Sequence, residues 1–165
     1  MSKISTMEEF KLALDNLSLE KQRLVSARFV AAVLDLTNDD RIIQAQKIAA
    51  DPKATAESLM SAYHSVLHAA IESSLHNTFE EMDMQKQTEH FVAQACSTSL
   101  APSHQNIKWR HMAVSVAHYC RIARICSAIQ HEETKPSLAP AEESLHDQIK
   151  NQFEILQKYL DEQSA

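Results

Sequence analysis

The amino-acid sequence predicts an all-α protein, a single-domain helical bundle of about six to seven helices, and three observations carry that expectation. The chain contains no glycine, where a soluble chain of this length has about a dozen, so type I′ hairpin turns and Gly-rich phosphate loops lack the residue that builds them. Apolar residues recur at three- and four-residue spacings in nearly every segment, the pattern of one-sided helices. Alternation of period two, which marks half-buried strands, is missing over any useful length.

Thr6 followed by Glu9 fits a capping box and opens a short helix over 6–17, with Phe10, Leu14 and Leu17 on one stripe. Ser18 caps a second helix. From Leu24 to Leu36 the apolar residues point in nearly every helical direction, which places that segment at the centre of the fold. Asn38, Asp39 and Asp40 break the chain and cap a third helix, which ends at Asp51-Pro52 because proline disfavours helix in the residue before it. A fourth helix starts near Thr55 and runs at least to His76, striped by Leu59, Tyr63, Val66, Leu67, Ala70 and Ile71. The polar run from Asn77 through Gln87 fits helix and loop equally. Helix resumes across HFVAQAC until Pro102 interrupts it. One long helix spans 108 to about 131, and the two prolines of 135–140 mark a loop. The last helix, over 142–162, repeats Leu145, Ile149, Phe153, Leu156 and Leu160 on a single side. Since 44% of the 165 residues are hydrophobic, 1–165 reads as one domain with one core.

With 22 acidic against 16 basic residues the formal charge is -6, which attracts neither phosphate backbones nor anionic lipid, so no nucleic-acid or membrane partner is expected. Glu8, Glu9 and Lys11 precede any long apolar run and no segment approaches a membrane span, which gives a cytoplasmic expectation. Cys96, Cys120 and Cys126 are odd in number and form no CxxC pair, so reduced, mostly buried thiols are expected.

His111 and His118 lie with Ile107, Val114, Ile122, Ile125 and Ile129 inside about an 80° sector of their helix. Three readings follow: neutral, partly buried imidazoles bonded to a carbonyl or carboxylate, ligands facing a cavity, or a seam between subunits. His64, His68 and Glu72 follow one another at four-residue intervals, a spacing at which two imidazoles and a carboxylate can share Zn²⁺ or Fe²⁺. His111 or His118 would then supply a ligand from a second helix; otherwise the three residues line a solvated margin. A pocket lined by His111, Met112, His118 and Tyr119 would suit a small ligand. Arg110, Arg121 and Arg124 share a sector of about 60°, the one basic strip of an acidic chain, either paired with glutamates or open to an anion or acidic partner. Arg28, set in the all-round apolar segment, needs a carboxylate, with Asp35 and Asp15 as candidates. A single ExxH at Glu143 and His146 lacks the second copy that di-iron carboxylate bundles require.

No catalytic motif stands out, and apolar stripes cover nearly every helix. The leading expectation is therefore a non-enzymatic helical protein, without cofactor, that acts by protein-protein interaction as a homodimer through the helix of 107–129 or that of 142–162. A Zn- or Fe-binding bundle and a small-ligand sensor are the alternatives. Far-UV circular dichroism should give a helix-dominated spectrum; a β-dominated one contradicts the fold class.

Overall fold

Short polar side chains set the helix starts. Thr6 Oγ1 accepts from Glu9 N at 3.2 Å while the Glu9 carboxylate accepts from Thr6 N at 3.1 Å, the reciprocal box that opens α1 (Met7–Asp15). Ser18 caps α2 (Leu19–Ala31), Asp39 caps α3 (Asp40–Ala50), and Asp83 caps α5 (Met84–Leu100), each accepting from first-turn amides. Ahead of α4 (Ala56–Leu75), Thr55 Oγ1 accepts from Ser58 N at 3.1 Å. Helix α6 spans Met112–Gln130 and α7 spans Ala139–Ser164. The computed structural model describes residues 3–75, 83–102, 111–130 and 139–164; these hold seven α-helices and a 3-10 turn at Leu34–Leu36, with no strand among them.

Three boundaries differ from the sequence reading. Residues 24–36 are not one helix, because α2 stops at Ala31 and the chain tightens into the 3-10 turn. The ambiguous run before Gln87 becomes helical at Met84, where Asp83 Oδ1 takes the amides of Gln85 and Lys86. Ala139 and Pro140 of the expected loop form the first turn of α7, a position that tolerates proline because its amide has no intrahelical partner; residues 135–138 lie outside the described ones.

Helix ends follow from the missing glycine. Among the described residues none has positive φ, so none of the helix ends they contain closes on a left-handed turn. Carbonyls left over at the ends are met by side chains from other helices. Arg23 Nη1 donates to Ala49 O at 2.6 Å and Asp51 O at 3.0 Å at the end of α3. Arg124 Nη2 donates to Ala32 O at 2.6 Å at the end of α2. Gln22 Nε2 donates to Leu17 O at 3.1 Å just beyond α1.

The bundle is organised around α6, which packs on α1, α2, α5 and α7, while α4 lies outside it against α3 and α5. The most extensive helix pair is α5 with α6, and both contribute small side chains: Ala93, Ala95, Cys96, Ser97 and Ser99 are buried on one, and Ala113, Val116, Ala117, Cys120 and Ala123 on the other. The serines are internally satisfied, Ser99 Oγ donating to Cys96 O at 2.6 Å and Ser97 Oγ to Gln94 O at 3.2 Å, so they pack like alanine at no hydrogen-bond cost. At the other side of α6, Phe10 brings α1 onto both α2 and α7, with ring centroids 5.8 Å from Phe29 and 5.2 Å from Phe153.

This packing gives the two apolar stripes their directions. On α6 the inward face is the small-residue one, and the stripe of His111, Val114, His118, Ile122, Ile125 and Ile129 points the other way. On α7 the buried line runs through Ala141, Gln148, Gln152, Leu156 and Tyr159, about 70° round the helix from the centre of the predicted stripe. Ala117→Leu should therefore cost about 1–3 kcal/mol by overpacking the buried small-residue face of α6, measured by urea unfolding, whereas Leu12→Ser on the open face of α1 should stay within about 0.5 kcal/mol of the parent.

Candidate functional site

Because the small residues of α6 take the inward face, its isoleucines are left outside it. Ile129 is 39% exposed and His118 is exposed, with Ile122 and Ile125 half-buried beside them. Val114 and Tyr119, at the margins, still pack against the core, whereas Ile122, Ile125 and Ile129 do not belong to that cluster. Tyr119 stacks on Phe91 of α5 with centroids 6.3 Å apart, and its ring lies 6.2 Å from that of His118. The result is a helix face about 28 Å long, at 1.5 Å per residue, on which branched apolar side chains and imidazole meet water.

The predicted metal ligands are dispersed. His64 and His68 are exposed on α4, and Glu72, one turn further on, accepts from Arg41 Nη2 at 2.8 Å. His111 is exposed and its Nδ1 lies 2.9 Å from Asp15 Oδ1 on α1. His118 belongs to the outward face of α6, with α5 packed between α6 and α4. Among the described residues no three His, Cys, Asp or Glu side chains are grouped to hold a metal ion. Both His111 and His118 are thus exposed rather than held in the core. Of the four residues imagined around a ligand pocket, Met112 instead lines an open cleft of about 640 Å³ with Leu59, Met60, Leu100 and Pro102.

Glu72 belongs to an ion-pair network. Arg41 binds Asp39 through Nε and Nη2, at 3.0 to 3.1 and 2.6 Å, as well as Glu72. Hydrogen bonding from Arg41, with its positive charge adding to it, holds both carboxyls below the ordinary carboxylate range and raises the pKa of the guanidinium. The arginine strip also separates. Arg124 grips Asp35 through both nitrogens at 2.6 and 2.7 Å, Arg121 is buried, and Arg110 lies outside the described residues. Arg28 does not use Asp35 or Asp15; it reaches Glu162 at 2.5 Å and lies over the Tyr159 ring at 5.0 Å, since those aspartates already serve Arg124 and His111.

Sequence reasoning missed His90. Its Nδ1 is 2.9 Å from Ala70 O; a carbonyl only accepts, so that nitrogen is the donor. No stripe or spacing singled it out, because its partner is a backbone atom of another helix. The thiols are free and buried, and burial pushes Cys96 up to about 12 and raises Cys120 and Cys126; none is set up as a nucleophile. No helix among the described residues is long and apolar enough to cross a membrane.

The network around Arg41 generates a pH expectation. Asp39 and Glu72 have folded-state pKa values below their unfolded ones, so their contribution is present above the ordinary carboxylate range and lost as pH falls through it. Urea midpoints followed from about pH 6 down to about pH 2 should fall on the acid side, and Arg41→Gln should shallow that fall; equal slopes for the two proteins refute the assignment. Compared with known proteins, the chain matches no family model, no curated protein and no solved structure.

Proposed function

We propose that this chain is a non-enzymatic helical interaction module that associates with a second copy of itself through the outward face of α6. The observation that carries the reading is the row of Ile122, Ile125 and Ile129 beside His118, half-buried to exposed on the side of α6 opposite its inward Ala and Cys face. A contiguous apolar face on a folded chain is the usual mark of a partner site. Isoleucine is stiff at χ1, so ordering three of them against a partner loses little rotamer freedom. Two copies related by a two-fold axis, with α6 laid antiparallel on α6, would set each isoleucine against the other's stripe, and self-complementarity is what a two-fold interface requires. The exposed Leu12 and Ile71 sit on α1 and α4, apart from this row.

Sedimentation equilibrium at about 100 μM, far above the dissociation constant of a stable homodimer, should give twice the 18.6 kDa chain mass. Ile125→Asp and Ile129→Asp should each return the monomer with an unchanged far-UV spectrum, because a carboxylate cannot be desolvated in that seam without several kcal/mol of penalty. A parent protein that sediments as a monomer removes the reading.

A further inference from the structure

Each of the other described arginines has a strong acceptor: Arg23 the carbonyls closing α3, Arg28 Glu162, Arg41 Asp39 and Glu72, and Arg124 Asp35. Arg121 does not. It is 9% exposed, no carboxylate among the described residues pairs with it, and Nη1 points at the thioether of Met7 at 3.4 Å, a weak acceptor. A guanidinium keeps its charge at any pH a protein meets, so its burial without a counter-charge costs several kcal/mol.

A second unsatisfied donor lies across from it. Ser144 Oγ donates to Arg124 O at 3.3 Å and Gln152 Nε2 to Ala117 O at 2.9 Å, which sets α7 antiparallel to α6. Gln148 falls midway between Ser144 and Gln152 on one face of α7, and Arg121 falls between Ala117 and Arg124 on α6, so the register puts the two at the same level of the helix pair. Gln148 is 4% exposed, and its Nε2 has no hydrogen-bond partner among the described residues. Two buried donors, one of them charged, thus lie at one level of the α6–α7 packing, and among the described residues the acceptor recorded for Arg121 is the Met7 sulfur.

We infer that this junction binds a small oxyanion of the phosphate type, with the Arg121 fork and the Gln148 amide as its donors and Met7 as a displaceable cover. Fork geometry matches two oxygens of a phosphate, and the amide supplies a third bond from the opposite helix. Met7 is half-buried on the first turn of α1, and its three rotatable bonds let the thioether swing out and yield the place of its sulfur to an anionic oxygen. The site is separate from the outward face of α6 and does not depend on association between copies.

Thermal unfolding with inorganic phosphate, titrated to about 50 mM against sodium chloride at constant ionic strength, tests this, since a ligand of the folded state raises the melting temperature in a saturable way. The parent should show saturation, with binding confirmed by isothermal titration calorimetry. Arg121→Met should abolish the response, Gln148→Leu should weaken binding roughly tenfold, and Met7→Ala should bind at least as well as the parent. Should Arg121→Met fail to fold, Arg121→Lys, which keeps the charge and loses the fork, should bind more weakly than the parent. Glycerol 2-phosphate in place of phosphate distinguishes sources: an equal response extends the site to phosphomonoesters, and a response to inorganic phosphate alone restricts it to the free ion. No saturable shift in the parent, a shift matched by chloride, or an equal shift in the Arg121 variants overturns the inference.

Discussion

A chain without glycine has no inexpensive way into the left-handed region, and the bundle is built around that restriction. Helices usually shed their last carbonyls onto a left-handed residue; here long side chains reach across from neighbouring helices to take them. Arg23 holds the end of α3, Arg124 the end of α2 and Gln22 the residue after α1. Each such bond joins two elements, so capping and tertiary packing become one interaction. A charged hydrogen bond of this kind is worth about 1.5–3 kcal/mol, comparable to burying a large apolar side chain. Arg124 adds a carboxylate on the same fork, clamping Asp35 of the 3-10 turn while it closes α2.

The missing glycine also shifts close helix contact onto alanine, serine and cysteine. Side chains this small let two backbones approach, and the area they bury comes from proximity rather than bulk. That is why the orientation of α6 could not be read from its hydrophobic pattern. A stripe of isoleucines outweighs a stripe of alanines on any transfer scale, yet Ala113, Ala117 and Ala123 are buried in the core and Ile122, Ile125 and Ile129 are not. On α7 the same competition is decided by polar fit, since Gln152 goes inside to bond Ala117 O. Local signals were legible: the Thr6–Glu9 box, the Ser18 cap and the Asp39 break all act within a few residues of themselves. Facing is a non-local property, and a single helix does not contain it.

The same division runs through the candidate site. Periodicity correctly grouped His118 with the α6 isoleucines on one face; it could not say which way that face points. The spacing of His64, His68 and Glu72 was equally real, but Glu72 was claimed by Arg41, which arrives from α3. Arg28 needed a carboxylate, as its apolar surroundings implied, and the one that came was Glu162, from α7. Charge requirements are written in the neighbourhood of a residue, while the residue that meets them is chosen by the fold.

Helix α1 takes most of its partners from far along the chain, Phe29 of α2 being a near one. Its contacts run from Phe10 to Phe153, from Met7 to Arg121 and from Asp15 to His111, and just ahead of it Ile4 N donates to Gln157 Oε1 at 3.0 Å. On a ribosome adding about 5–20 residues per second, the surface that receives α1 is completed on the order of ten seconds after α1 itself emerges. Through that interval Phe10 and Leu14, fully buried once folded, wait in the open. Helix α1 is therefore made well before the helices that receive it, and along this stretch the order of synthesis runs against the order of assembly.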